Sequence, residues 1–136
     1  MEPRIIRVAD VTQAPLHMVS GLASVQSAIE EMHRHSVSSL VIERRDDDDE
    51  YGVVTVQDIA AKVVAENRSA QRTSVYEVMT KPVLTLSGDM NVKYAIRLLA
   101  RLGFTRALVT SGDDLSGLVT LRDLVLSGAR FEDTED

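Results

Sequence analysis

The stretch GVVTVQD, residues 52–58, returns almost unchanged as GLVTLRD at residues 117–123. In each copy a glycine opens a short apolar run, which ends in a threonine, and an aspartate follows three residues later. Thr-x-x-Asp predicts a helix start, because the threonine oxygen accepts from the backbone N–H three residues on and the acid favours the helix N-terminus. The same geometry suits a ligand: free N–H groups there bind phosphate, and an acid can accept from ribose hydroxyls. The residues concerned are Thr55, Asp58, Thr120 and Asp123.

The similarity reaches well beyond these seven residues. A shift of 67 residues aligns VADVTQAPLHMVSG, residues 8–21, with VYEVMTKPVLTLSG, residues 75–88. After the acidic run RRDDDDE, residues 44–50, the shift becomes 65. This change falls in a loop, where insertions are tolerated. We therefore interpret the chain as two copies of one unit.

Each copy has the same predicted elements. Apolar spacing predicts helices capped by Ser24 and Asn91, and β-rich runs on either side of a polar loop predict a hairpin. Each unit is then β-α-β-β-α, a mixed α/β (α+β) fold. Because one such unit leaves an apolar face exposed, two repeats packed with pseudo-twofold symmetry are expected, with clefts at the seam. The predicted divisions are repeat 1 (8–66), a linker (67–73), repeat 2 (74–130) and an acidic tail (131–136).

Composition limits the function classes. The chain has 136 residues, 15 basic and 21 acidic, so its formal charge of −6 disfavours nonspecific binding to nucleic acid or an acidic membrane surface. It has no cysteine, which removes disulfides and thiol chemistry. No secretory leader or membrane-spanning run is recognisable, so a cytoplasmic protein is expected.

No catalytic motif stands out, and we expect the protein not to be an enzyme. A glycine-rich phosphate loop followed by lysine is missing, as is a nucleophile elbow. The run at 46–50 fails as an EF-hand, because Tyr51 stands where glycine is needed and Gln57 where glutamate is needed. We interpret it as a solvated loop whose role stays open, and no metal site is expected.

The repeat, its G-h-h-T-x-x-D endings (h, apolar) and the lead-in VYEVMTKPVLTL together resemble the cystathionine-β-synthase (CBS) domain family. The pair resembles a Bateman module over residues 8–128, and the second copy is the closer match, since its MT-x-P lead-in reads VTQAP in the first. The resemblance implies an adenosine-containing effector (AMP, ADP, ATP, NAD or S-adenosylmethionine) rather than a cofactor. It also implies a homodimer, and regulation of an enzyme or transporter as partner.

The resemblance also implies site residues. Asp58 and Asp123 would hold ribose hydroxyls, and Thr55 and Thr120 would lie by phosphate. Arg106 fills the place of a phosphate-binding arginine. The walls of the clefts would come from the lead-ins: Thr80, Pro82, Val83 and Leu84 with Asp58, and Thr12, Leu16 and His17 with Asp123.

Arg106 has the uncharged Ser39 as its first-copy counterpart, so the two clefts are expected to differ. The Asp123 cleft would prefer a phosphorylated ligand. The Asp58 cleft would take a less charged adenosyl group or stay empty. The alternative is a structural dimerisation module that binds no nucleotide.

Overall fold

The computed structural model of the chain describes residues 5–12 and 16–128. Its regular elements, in chain order, are α1 (Val8–Val11), β1 (Met18–Val19), α2 (Val25–His35), β2 (Ser39–Ile42), β3 (Gly52–Thr55), α3 (Val56–Ile59), a 3-10 helix (Val75–Glu77), β4 (Thr85–Ser87), α4 (Val92–Leu102), β5 (Arg106–Ser111), β6 (Asp114–Thr120) and α5 (Leu121–Asp123). These elements confirm the predicted mixed α/β fold with two β-α-β-β-α repeats. The predicted acidic tail lies outside the described residues.

The chain packs as two compact units. The first-repeat unit is His17–Val83, and the second-repeat unit combines the described residues up to Leu16 with those from Leu84 onward. Each contains a three-stranded sheet, in the orders β1-β2-β3 and β4-β5-β6. In both sheets the first pair is parallel and the second antiparallel, so the described parts of the two repeats share one topology.

The long helix of each repeat starts and stops at the signals that the sequence provides. Ser24 accepts a hydrogen bond from the backbone N–H of Ser27 at 3.0 Å, and Asn91 accepts from Lys93 at 2.8 Å, which confirms both predicted caps. The helices end at left-handed residues, Ser36 (φ 54°) and Gly103 (φ 74°). Glycine adopts this conformation at little steric cost, whereas serine is strained in it.

The second helix of each repeat winds more widely after its first turn. α3 continues into a π-helical turn at Ala60–Val64, where the N–H of Ala65 donates to the carbonyl of Ala60 at 2.8 Å. α5 continues likewise into Leu124–Gly128. The sequence predicts a helix in both places but not the π-turn. Such turns are frequent at functional sites.

The two lead-ins are exchanged between the packing units. The 3-10 helix belongs to the first-repeat unit, where the N–H of Val75 donates to Ala23 at 2.8 Å. α1 belongs to the second-repeat unit, where the N–H of Val8 donates to Met90 at 2.9 Å. Each lead-in therefore completes the unit built around the other repeat.

Burial of apolar side chains explains this exchange. Val75 and Val78 lie in the core of the first-repeat unit with Val25, Leu40 and Val54 among others. The second-repeat core likewise contains Val8 and Val11, packed with residues of the second repeat such as Val92 and Leu99. Fully burying one such valine is worth about 1.5–3 kcal/mol.

No helix in the described ranges is long and apolar enough to cross a membrane.

Candidate functional site

The second-repeat candidate site is built at the junction of β6 and α5. Thr120 is the helix N-cap, and its hydroxyl oxygen accepts from the backbone N–H of Asp123 at 3.0 Å. In return, Asp123 Oδ2 accepts from the N–H of Thr120 at 3.4 Å. The two side chains thus form a reciprocal capping box, and both residues are half-buried. This box fixes the carboxylate at the start of an eight-residue helical run, residues 121–128.

Arg106 lies directly across the sheet from this box. β5 and β6 pair antiparallel with Arg106 opposite Thr120, so the two side chains leave the same face of the sheet. The Nε of Arg106 is buried, and none of the described residues offers it a hydrogen-bond acceptor. A buried N–H on a permanent cation is costly to leave unpaired. An anion at this position would remove that cost.

The first-repeat candidate site has the same reciprocal capping box. Thr55 Oγ1 accepts from the N–H of Asp58 at 3.0 Å, and Asp58 Oδ2 accepts from the N–H of Thr55 at 3.0 Å. Ser39 stands opposite Thr55, in the register position that Arg106 holds in the other repeat. A serine brings no charge to this face, so the two sites differ electrostatically.

Lys62 adds a second difference, which the sequence analysis missed. Its Nζ lies 3.5 Å from Asp58 Oδ1 and donates to the carbonyl of Val78 at 3.0 Å. Both carboxylate oxygens of Asp58 thus have partners. The position equivalent to Lys62 in the second repeat is Ser127, and in the described part of the chain Asp123 has no ion pair. The i, i+4 spacing of Asp58 and Lys62 was the available signal.

The predicted wall residues divide between the packing units. His17, Thr80, Pro82 and Val83 belong with Asp58 in the first-repeat unit, whereas Thr12, Leu16 and Leu84 belong with Asp123 in the second-repeat unit. His17 and Leu84, the boundary members of the two predicted walls, therefore each fall in the unit opposite their expected aspartate. The other wall residues share a unit with their aspartate.

Thr80, Leu84, Thr12 and His17 illustrate how the wall residues are held within their units. Thr80 pairs with Val53 through backbone bonds of 2.8 and 3.0 Å, which brings the MT-x-P segment alongside β3. The carbonyl of Leu84 accepts from Leu108 at 2.9 Å. Thr12 donates its hydroxyl to the carbonyl of Val8 at 2.7 Å. The ring of His17 stacks on that of His35 at 3.9 Å between centroids, so it is held by protein contacts.

Metal ligation has no support within the described residues. They contain no group of three or more His, Cys, Asp or Glu side chains placed to hold a metal ion.

Comparison with known proteins identifies the repeat. The model of the CBS domain family matches residues 8–65 and again residues 75–129. An uncharacterized protein of Methanopyrus kandleri is 27% identical over 123 residues, which are 90% of this chain and 62% of that protein. The chain thus spans less than two thirds of that relative's length.

Two solved structures resemble the fold. The hexameric CBS-CP12 protein from bloom-forming cyanobacteria superposes with a TM-score of 0.90 at 28% identity, over 98% of this chain and 74% of its own. A CBS domain protein from Pyrobaculum aerophilum, complexed with AMP, has a TM-score of 0.76 at 20% identity, over 92% of this chain and 99% of its own. At that identity the second likeness concerns the fold alone.

Proposed function

The chain belongs to the CBS domain family, and we propose that it is a regulatory module that binds an adenosine-containing ligand at its second repeat. Asp123 holds the ribose hydroxyls, Thr120 contacts the phosphate, and Arg106 pairs with the phosphate oxygens. The observation that carries the proposal is the buried Arg106 Nε, which has no acceptor in the described part of the chain. A phosphate oxygen is the natural acceptor for a guanidinium.

The ligand class follows from the same groups. A carboxylate accepts well from a pair of vicinal hydroxyls, and the start of a helix favours a negative phosphate. AMP is the first choice because it combines both groups, and a family member is complexed with AMP. ADP, ATP and NAD offer the same groups, whereas S-adenosylmethionine offers the ribose without a phosphate.

The first-repeat site is assigned a different role. Lys62 already neutralises Asp58, and Ser39 supplies no charge for phosphate. We propose that this site takes a less charged adenosyl group or stays empty. Its frame then serves mainly to cap α3. If the first-repeat site is empty, the first repeat has only the structural role that the alternative hypothesis assigns to the whole module.

Signalling requires that the ligand changes contacts elsewhere. A ligand shifts a conformational equilibrium only by its differential affinity for the two states. We propose that nucleotide binding alters assembly of the chain into a homodimer or larger oligomer, which a regulated enzyme or transporter then reads. The hexameric state of the CBS-CP12 relative supports association between copies as the means.

A thermal-shift screen against AMP, ADP, ATP, NAD and S-adenosylmethionine tests the proposal. A ligand at 100 times its dissociation constant stabilises the fold by about 2.7 kcal/mol. Native chain and Arg106→Ser are compared, with Arg101→Ser as the control for loss of an exposed arginine on α4. The phosphate-bearing ligands are expected to stabilise the native chain and the control, and to stabilise Arg106→Ser clearly less. No response to any adenosyl compound would favour the structural module.

A further inference from the structure

A cavity of about 300 Å³ lies within the first-repeat unit, at the hairpin-loop end of β2 and β3. Its lining includes Ile42 and Gly52, which pair at that end of the hairpin. Thr55 stands at the opposite end of β3, about three strand residues or ~10 Å away along the strand. The cavity thus lies at the opposite end of β3 from the Thr55–Asp58 capping box and in a different unit from Asp123, and the inference that follows does not depend on the proposed function.

Three donors meet at one carboxylate in the wall of this cavity. Asp49 accepts from the ammonium of Lys81, from the backbone N–H of Arg45 at 2.9 Å and from the Nε of Arg45 at 3.3 Å. The Asp49 side chain is only 9% exposed and that of Lys81 19%. These donors, with the Lys81 hydrogen bond foremost, hold the pKa of the Asp49 carboxyl well below its ordinary value. We call these donors, from Lys81 and Arg45, the socket, because together they can bind the two oxygens of one carboxylate or phosphate group.

An aromatic ring holds both cations of the socket in place. The guanidinium of Arg45 lies 5.0 Å and the ammonium of Lys81 5.6 Å from the ring centre of Tyr76. Such cation–π contacts stabilise a cation at short range. The ring itself packs closely over the backbone, since a Cβ added at Gly21 would lie 3.2 Å from it. The cations therefore keep this placement without relying on Asp49 alone.

In the described part of the chain, the corresponding cavity of the second repeat lacks the basic side chains found in this one. A cavity of about 300 Å³ occupies the equivalent place in the second-repeat unit. There Ala9 replaces Tyr76, Thr12 replaces Met79 and Ser111 replaces Arg44, and the described residues that line it include no basic side chain. Asp49 belongs to the hairpin loop that is longer by two residues in the first repeat. Socket and carboxylate are thus both particular to one copy.

We propose that the cavity of the first-repeat unit is a binding site for a small molecule bearing a carboxylate or phosphate group, and that Asp49 fills its socket as a built-in competitor. An incoming anion takes over the bonds from Lys81 and Arg45 and lies against Tyr76. Asp49 then leaves the socket, and the acidic loop 46–50 loses its attachment to Lys81. In this proposal, the loop at residues 46–50 closes the site until an anion displaces Asp49.

Tyrosine fluorescence tests the site, because the chain has no tryptophan and three tyrosines. In a background of Tyr51→Phe and Tyr94→Phe, Tyr76 reports alone. Inorganic phosphate and acetate are titrated separately, at ionic strength held constant with chloride, into that background and into its Asp49→Asn and Asp47→Ala forms. Asp47→Ala removes an exposed acid from the same loop and so controls for net charge.

Asp49→Asn is expected to bind at least one of the two anions ten times or more tightly than the background, and Asp47→Ala to behave like the background. The tighter anion identifies the group that the ligand carries. Adding Lys81→Met to Asp49→Asn should abolish saturable binding, while the thermal unfolding midpoint reports that the variants fold. No saturable response in Asp49→Asn, equal gains in Asp47→Ala, or full binding after Lys81→Met would each overturn the proposal.

Discussion

The two Thr-x-x-Asp motifs form the same reciprocal capping box and differ in the charged side chains around it. In the second repeat, Asp123 has no ion pair among the described residues, and the buried Nε of Arg106 stands across the strand pair. In the first, Asp58 is paired with Lys62 and the arginine is replaced by Ser39. The comparison separates two tasks of one motif. The threonine and aspartate cap a helix in both repeats, and we propose that the neighbouring charge determines whether the cap also holds an anionic ligand.

Removing the second-repeat carboxylate should have the largest effect on binding. Asp123→Ala loses the proposed bonds to both ribose hydroxyls, and bonds to a charged group contribute about 1.5–3 kcal/mol each. We expect AMP affinity to fall by about a hundredfold or more, measured by calorimetry. Asp58→Ala is the matched control, because it removes the equivalent cap. It should leave AMP affinity within about threefold; an equal loss in both variants would remove the distinction between the repeats.

Exchanging the residues opposite the threonines should have the next largest effect. Arg106→Ser gives the second repeat the chemistry of the first and should weaken AMP binding by about ten- to a hundredfold. Adenosine lacks the phosphate, so its affinity should change far less. Equal losses for AMP and adenosine would show that Arg106 does not contact phosphate.

The reverse exchange sharpens the comparison. Ser39→Arg combined with Lys62→Ser gives the first repeat the charges of the second. We expect the stoichiometry of AMP binding to rise from one to two per chain, with the new site weaker, because only the charges and not the walls have been copied. Calorimetry on the double variant and on each single variant measures this. A stoichiometry that does not change would mean that the frame of the first repeat is unsuited to the ligand.

Loss of either helix cap should have a smaller and nearly equal effect on stability. Thr55→Ala and Thr120→Ala each remove the hydroxyl that accepts from the aspartate N–H at 3.0 Å. Removing a cap costs about 1 kcal/mol. Denaturant unfolding should show losses of this size in both variants, while only Thr120→Ala weakens AMP binding. A much larger loss in one repeat would show that the two frames are not equivalent.

The smallest expected effect concerns pH and the loop of the first repeat. The pKa of Asp49 is lowered chiefly by the Lys81 hydrogen bond and further by the N–H of Arg45. A carboxyl with a lowered folded pKa stabilises the fold above its unfolded pKa, about 3.9, and loses this contribution as the pH falls below that value. The unfolding midpoint of the native chain should exceed that of Asp49→Asn near neutral pH, and the difference should shrink below about pH 4. A constant difference would contradict this attachment.

The sequence predicts those parts of the fold that depend on periodicity and capping. The caps at Ser24 and Asn91 and the paired hairpins follow from local patterns, and the repeated motif identifies the start of α3 and α5. Local patterns do not predict the exchange of the lead-ins, because α1 and the 3-10 helix span only four and three residues. Elements this short carry no measurable periodicity, and their placement depends on burial in the other repeat's core. The family resemblance implies the exchange, since it places Thr80 of one lead-in with Asp58 and Thr12 of the other with Asp123.

The candidate site shows the same limit. The family resemblance identifies Arg106, and aligning the repeats identifies Ser39 as its counterpart, so the expectation that the two sites differ rests on both. The i, i+4 spacing of Asp58 and Lys62 in the sequence is compatible with their ion pair but does not single it out. The unpaired Arg106 Nε and the meeting of Lys81, Arg45 and Tyr76 at Asp49 depend on side-chain burial and on contacts between distant parts of the chain. The sequence alone does not show these contacts.

Calorimetric titration of AMP into the native chain, Asp123→Ala and Asp58→Ala shows directly which repeat binds the nucleotide. We expect one phosphate-dependent site per chain, whose affinity falls by about a hundredfold or more in Asp123→Ala and stays within about threefold in Asp58→Ala. Two sites of equal affinity in the native chain, or unchanged affinity in Asp123→Ala, would contradict the claim that the charges around the second motif make it the nucleotide site.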